Sequence, residues 1–275
     1  VMLHEVVVPS GYYMASGNSV TSISTTRPSS GDYAYYYNGV LTLTDYTYTG
    51  SSVAIRTYAD TLISLTGGSE VNHIISHAGD LTLQGSGVLE INTNLSSAAA
   101  INSNGNVSIN NGRITINSQN DGIYCNDFSL KNGFVWLTAN YHGINFNSNF
   151  TIQSGAITIK STNTSNDTSN RAINSRASSP TINLNGLNHM VGETSTPDIK
   201  SYTGFTSKDY DFVALGECIL VRGVVLYKGC YLFNGDSQQY QNVGSHTEYA
   251  HLVDKNTLRL KGYSYSGSNY GIASN

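Results

Sequence analysis

The sequence predicts an all-β protein, a right-handed, three-sided parallel β-helix with small β-meanders capping both ends. Three observations carry that expectation: a short repeat through the middle of the chain, period-2 alternation of apolar residues inside each copy, and turns rich in Gly and Asn. The repeat begins with Asp80–Gln84, Asn106–Asn110, Asp127–Lys131 and Asn149–Gln153, each reading apolar, small hydroxyl, apolar, polar. A glycine and a second alternating run follow each, at Val88–Ile91, Arg113–Ile116, Phe134–Leu137 and Ala156–Ile159. A third run, Ala100–Ser103, Gly122–Cys125, Gly143–Phe146 or Ala172–Ser175, precedes the next copy. The unit is therefore about 22 residues with three strands, too short to bury its own face and stable only when stacked.

Apolar residues recur at i and i+2 and seldom at i, i+3, i+4, which excludes amphipathic helices. Stacking the coils at about 4.8 Å piles like residues on like. Five interior columns follow: Leu81, Val107, Phe128, Phe150; Leu83, Ile109, Leu130, Ile152; Leu89, Ile114, Val135, Ile157; Ile91, Ile116, Leu137, Ile159; and Ile101, Ile123, Ile144, Ile173. Asn104, Asn126 and Asn147 are expected to form a side-chain ladder at one corner. Gly112, Gly133, Gly155 and Gly186 are expected to bend the chain at the next.

Four segments follow from where the repeat is regular. Residues 1–50 form an N-terminal meander cap, 51–187 the β-helix, 188–215 an exit segment, and 216–275 the start of a second, truncated copy of the module. The last expectation rests on Val6–Ser19 aligning without gaps on Val224–Ser237, and Gly39–Gly50 on Asn256–Gly267, at an offset of about 217 residues. The polar stretch Ser161–Asn170 is expected to be a loop leaving one corner.

Composition excludes several functions. Only 12% of the 275 residues are charged, and 14 Lys and Arg against 18 Asp and Glu leave a net charge of −4 without any basic cluster. Nucleic acid is therefore not an expected partner, since phosphate neutralisation needs a basic stripe. No apolar run is long enough to suggest membrane insertion, and Val1–Val6 lacks the features of a signal peptide, so any export signal is expected outside this sequence. Cys125, Cys218 and Cys230 make no metal-binding spacing; Cys125 reads as a core residue, while Cys218 and Cys230 could pair in an oxidising compartment.

The unit running from Ala100 through Asn104-Gly105 to Arg113-Ile114-Thr115-Ile116 resembles the pectate-lyase-like right-handed β-helix superfamily. Within it, the unit resembles secreted carbohydrate-binding β-helix proteins of clostridia and related gut bacteria, whose recurrent unit reads AI...G.LTI.GG.ITI. The resemblance covers residues 51–187. It implies an extracellular or cell-surface protein that binds a plant cell-wall polysaccharide such as pectin or cellulose. It also implies calcium held by aspartates at coil turns, for which Asp121 and Asp127 are the candidates here; the acidic doublets of that family are missing.

Enzymes on this scaffold need clustered charge: calcium-binding acids beside a base in a lyase, two carboxylates in a glycosidase. Glu90 stacks with Thr115, Trp136 and Thr158, so the repeat offers it no acidic partner and catalysis is not expected. Asp121, His142 and Arg171 stack on successive coils, but no nucleophile accompanies them, and they read as a charge ladder at a corner. Most of the 20 tyrosines cluster outside the regular coils, at Tyr33–Tyr37, Tyr46–Tyr48 and Tyr263–Tyr265, either capping the solenoid or stacking on sugars. The expected carbohydrate-binding surface is the outward face of the second strand. Phe134 and Trp136 form its stacking platform, with Arg113, Thr115 and Glu90 beside them, unless the exit segment folds over both rings. A non-catalytic polysaccharide-binding module is thus the leading function, with a structural or adhesive spacer and a polysaccharide lyase as alternatives.

Overall fold

The structure is a computed structural model that describes residues 1–15, 23–26, 28, 31–162, 171–186, 189–192, 212–216, 218–222, 224–236, 239–254, 257–266 and 272–273. It begins with seven short strands, β1 (Met2–Leu3), β2 (Val6–Val7), β3 (Tyr12–Ala15), β4 (Ile23–Ser24), β5 (Tyr33–Tyr37), β6 (Val40–Thr44) and β7 (Thr47–Tyr48). The chain then winds through three walls in strict rotation, making a parallel β-solenoid of about six turns. Wall A holds β8 (Ile55–Thr57), β11 (Ile74–Ser76), β14 (Ile101–Ser103), β17 (Ile123–Tyr124), β20 (Ile144–Phe146) and β23 (Ile173–Ser175). Wall B holds β9 (Thr61–Thr66), β12 (Leu81–Gly85), β15 (Val107–Ile109), β18 (Phe128–Leu130), β21 (Asn149–Ile152) and β24 (Thr181–Asn183). Wall C holds β10 (Gly68–Val71), β13 (Val88–Thr93), β16 (Arg113–Ser118), β19 (Phe134–Ala139) and β22 (Ala156–Ser161). The chain ends in β25 (His189–Gly192), β26 (Phe212–Gly216), β27 (Cys218–Val221), β28 (Val224–Tyr227), β29 (Tyr231–Phe233), β30 (Gln239–Tyr240), β31 (Tyr249–Asp254), β32 (Thr257–Lys261) and β33 (Ile272–Ala273).

All five interior columns stack in register as the repeat requires, for example Leu81 on Val107 on Phe128 on Phe150, and Ile91 on Ile116 on Leu137 on Ile159. Their members are essentially inaccessible to solvent, and Phe128 and Phe150 stack with centroids 5.2 Å apart. A slip of one residue would turn every column outward at once, so the hydrophobic pattern fixes the register.

The corner between walls A and B differs from expectation. The Asn147 amide donates to Asn126 Oδ1 (3.2 Å), but the Asn126 amide turns to Asn106 Oδ1 (3.1 Å) and that of Asn104 to the His77 carbonyl (3.0 Å). The reason is length: the corner from Ile123 to Phe128 is one residue shorter than those from Ile101 to Val107 and from Ile144 to Phe150, so Asn126 lies one step nearer its wall B strand and reaches Asn106 instead of Asn104. The regular ladder is set by the residue before each wall B strand. Asp60 accepts from Asp80 N (2.8 Å), Asp80 from Asn106 N (2.9 Å), Asn106 from Asp127 N (3.1 Å) and Asp127 from Asn149 N (2.9 Å). Each side chain caps a backbone N–H of the coil above, a donor the turn would otherwise leave unpaired. In the next coil Thr181 takes this position, and its N–H goes to the Ser148 carbonyl (2.9 Å) instead of to a side chain.

At the corner between walls B and C, Gly112, Gly133 and Gly155 all hold positive φ. Gly186 also has positive φ but has no atom within 4 Å of a Cβ position, and Gly216, not Gly186, lies against Gly155. At this end β26 pairs antiparallel with β22, so the parallel stack stops there. Of the expected exit segment 188–215, β25 and the start of β26 are described, paired antiparallel on wall C; residues 193–211 lie outside the described residues, as do 163–170 of the expected loop. Cys125, Cys218 and Cys230 are all free and buried.

Candidate functional site

Period-2 alternation along wall C sends three columns outward. Gly68, Val88, Arg113, Phe134 and Ala156 form the first; Glu70, Glu90, Thr115, Trp136 and Thr158 the second; Asn92, Asn117, Thr138 and Lys160 the third. The face is divided in two by what lies on it.

Its later coils are covered. Tyr227, buried in the C-terminal unit, meets Phe134 edge-on at 6.0 Å and Trp136 at 5.3 Å, and both rings pack against the cluster of Ala214, Cys218, Leu226, Cys230 and Leu232. The expectation of two freely exposed rings is therefore corrected: each is half-buried, because β26–β29 bring their own apolar residues onto these coils. Burial pushes the Cys218 thiol up to about 12 and that of Cys230 to about 11, and also raises the Tyr227 hydroxyl well above its ordinary value. The Arg113 guanidinium lies 4.6 Å from the centre of the Trp136 ring, at the border of the covered region. The Trp136 and Tyr227 rings should therefore be energetically coupled. A double-mutant cycle with Trp136→Ala and Tyr227→Ala, followed by urea unfolding, should give about 0.5–1.5 kcal/mol of coupling; strictly additive losses would mean that the two rings do not support each other.

The earlier coils of wall C carry a polar surface. Glu70 and Glu90 are register partners, and the Asn92 amide donates to Oε1 of both, at 3.1 and 3.0 Å. The expectation that Glu90 has no acidic partner is thus corrected, since in-register stacking puts Glu70 about 4.8 Å away. It was missed because the coil holding Glu70, Gly68–Val71, follows β9 after Gly67 alone and lacks the apolar signature of the later units. Asn117 extends the row by donating to Asn92 Oδ1 (2.8 Å). Thr115 stacks on Glu90, and Glu90 is exposed. Beside this row, a cleft of about 190 Å³ is lined by Asn92, Asn94, Asn117, Gln119, Thr138, Asn140 and Thr162 among others. Gln119, Asn140 and Thr162 are joined by side-chain hydrogen bonds from coil to coil (3.1 and 2.8 Å). Such a space is below the roughly 300 Å³ of a drug-sized pocket and suits one sugar unit of a longer chain. Amides and hydroxyls at one step per coil form a regular array of donors and acceptors.

The other candidates have local roles. Asp121 is buried and accepts from His142 N and Nδ1 (both 3.0 Å) and from the Asn145 amide (2.8 Å). Burial alone would raise its carboxyl, but these hydrogen bonds and the His142 charge outweigh that and hold it below the ordinary aspartate value. The third expected member, Arg171, meets this corner through its carbonyl, which accepts from Gly143 N (3.0 Å). Asp127 accepts from Asn149 N and from its amide (2.9 and 2.8 Å). Both calcium candidates thus brace the next turn, and among the described residues no group of three or more His, Cys, Asp or Glu could hold a metal ion. On the N-terminal sheet Tyr13 and Tyr35 stack at 4.3 Å, and Tyr35 and Tyr37 lie nearly parallel at 6.4 Å, a second aromatic surface.

Neither a curated protein nor a solved structure matches the chain. A family model described as carbohydrate-binding domain-containing protein matches residues 7–221, which take in the N-terminal unit, the solenoid and the first strands laid over wall C. The array of amides, hydroxyls and half-buried aromatics on wall C therefore sits in a chain that belongs to the carbohydrate-binding domain-containing family.

Proposed function

We propose that the chain is a non-catalytic polysaccharide-binding module, working outside the cell or at its surface, and that it binds along the open half of wall C. The observation that supports this is the stacked row Glu90, Asn92, Thr115 and Asn117, which ends against Arg113 and the half-buried Trp136. Neutral amides and hydroxyls exchange water for sugar hydroxyls at little desolvation cost, and the accessible part of an indole suits an apolar sugar face. Arg113 offers a charge partner to a uronate, which favours pectin over cellulose. Calcium, if bound, would arrive with an acidic glycan at Glu70 and Glu90 and not at Asp121 or Asp127, whose oxygens are engaged.

The test is retention on insoluble cellulose and on immobilised pectin. Asn92→Ala, which removes the residue linking Glu70 to Asn117, should weaken retention about tenfold with the thermal midpoint nearly unchanged. Unchanged retention would place binding elsewhere. A second reading is favoured by one observation, the Glu70–Glu90 pair, two carboxylates on adjacent coils joined through the Asn92 amide, since a glycosidase needs two acids close together. Release of reducing ends by the native chain, abolished by Glu90→Gln, would decide for it.

A further inference from the structure

The C-terminal unit repeats the N-terminal one pairing by pairing. The hairpin β1–β2 sets Met2 against Val7 and Leu3 against Val6; β27–β28 sets Leu220 against Val225 and Val221 against Val224, 218 residues on. The meander β4-β3-β5-β6 corresponds to β30-β29-β31-β32 in the same order. Met14 opposite Ala34 becomes Leu232 opposite Ala250, and Ala34 opposite Leu43 becomes Ala250 opposite Leu260. Side-chain detail repeats as well. Tyr13 stacks on Tyr35 at 4.3 Å, and Tyr231 on His251 at 4.0 Å; the edge-on pair Tyr13–Tyr33 recurs as Tyr231–Tyr249. His4 lies over Tyr46 at 5.6 Å, and Arg222 over Tyr263 at 5.8 Å, with φ of 49° and 53° at the two residues.

The repeat runs into the solenoid itself. In the first copy β8, the first strand of the first coil, pairs antiparallel with β1 through Leu3 and Ile55. In the second, β33 pairs antiparallel with β27 through Val221 and Ile272. Ile272 therefore occupies the place of Ile55, 217 residues on.

What differs is burial, and it differs in one direction on one side. Leu3, Met14 and Ala34 are fully buried, and so are their counterparts Val221, Leu232 and Ala250. Leu43, Tyr48 and Ile55 are 0%, 3% and 0% exposed, but Leu260, Tyr265 and Ile272 are 48%, 37% and 47% exposed. In the first copy that side is covered: β9 pairs with β6 along five residues, β10 pairs with β7, and β11 pairs with β8. In the second copy the edge of β32 and the apolar residues beside it have no such strand among the described residues. An apolar strand edge left open in this way is an aggregation hazard unless something is built to cover it.

We infer that the C-terminal unit is the cap of a second solenoid, and that its open edge takes a coil of the chemistry of Thr61–Val71, from polypeptide continuing beyond β33. The occupant is specified by the first copy: a parallel strand with apolar residues at the places of Ile63 and Leu65, beginning six residues after Ile272 as Thr61 follows Ile55. The protein is on this account a tandem array in which each cap also lies on wall C of the solenoid before it, fixing the orientation of successive modules through Tyr227, Phe134 and Trp136.

The test continues the chain after Ala273 with a copy of its own residues 57–187 and follows amide hydrogen exchange at Thr257–Lys261, with Val40–Thr44 as internal reference. In the chain ending at Asn275, β32 should exchange at least tenfold faster than β6; in the extended chain it should slow by tenfold or more. A second extended chain, with Ile63→Asp and Leu65→Asp in the appended copy only, should lose that protection. Unchanged exchange at β32 in the first extended chain, whether its new coils fold or not, would overturn the inference. So would protection that survives the two aspartates. A dimer of the unextended chain with β32 already as slow as β6 would overturn it too, by making a second copy the occupant.

Discussion

Lowering the pH from 7 to 4 should destabilise the fold by on the order of 5 kcal/mol, with most of the loss falling above pH 4.5, where carboxylates are still largely ionised. His4 and His73 are the cause. Both are buried, His4 between Tyr46 and Tyr48 with the Tyr46 hydroxyl on its Nε2, His73 between β10 and β11. Burial brings each imidazole down to about 4 from its usual 6.5, and the Arg56 charge adds to the effect at His73. Below 6.5 the unfolded chain takes up two protons that the folded chain refuses, so stability is complete above that value and is lost as pH falls towards 4. Urea unfolding at half-unit pH steps should show this slope, and His73→Leu should remove about half of it. A flat profile between 6.5 and 4.5 would mean that both rings find solvent or a counter-charge in the folded chain. Asp121 acts in the same direction at lower pH: its depressed carboxyl contributes stability that disappears only as pH falls below the usual aspartate value.

Gly133→Ala should cost about 3 kcal/mol or more, whereas Gly186→Ala should cost about 1 kcal/mol. Both glycines have positive φ, +98° and +69°, so both variants incur the left-handed penalty of an L side chain. Only Gly133 adds a collision: a Cβ there would stand 2.5 Å from the Gly112 carbonyl oxygen and 3.1 Å from its nitrogen, both backbone atoms of the coil below. A solenoid cannot relieve that clash locally, because moving one coil shifts the hydrogen bonds to both neighbours. Chemical unfolding of the two variants separates the effects. Equal losses would show that the corner stack yields, and that stacking distance is less constrained than the five columns suggest.

The parts of this fold legible in the sequence are those under a repeating constraint. Leu81, Val107, Phe128 and Phe150 could be aligned by eye because a buried column tolerates little but an apolar side chain. Asn104 stays outside the ladder because the corners vary in length, and the ladder keeps step with the following strand, not the preceding one. The site was less legible. Arg113, Thr115, Glu90, Phe134 and Trp136 do share one outward face, but their surroundings depend on Tyr227 and Cys230, far along the chain, whose contact with wall C no local pattern encodes. Glu70 is hidden for a related reason: its coil carries Gly68 and Ser69 where the next carries Val88 and Leu89, so the apolar pattern does not lead back to it. The duplication lies between these cases, since its offset is visible in the apolar pattern but its equivalent strand pairings are a matter of backbone hydrogen bonds.

The central claim is that sugar is bound on the open half of wall C. The most direct measurement is amide and side-chain amide NMR of the chain titrated with oligogalacturonides and, separately, with cello-oligosaccharides. The largest shifts should fall on Glu70, Glu90, Asn92, Thr115 and Asn117 with the Trp136 indole N–H, and smaller ones on Gln119 and Asn140 around the cleft. Shifts confined to Tyr13, Tyr35 and Tyr37 on the N-terminal sheet, with wall C silent, would contradict the claim.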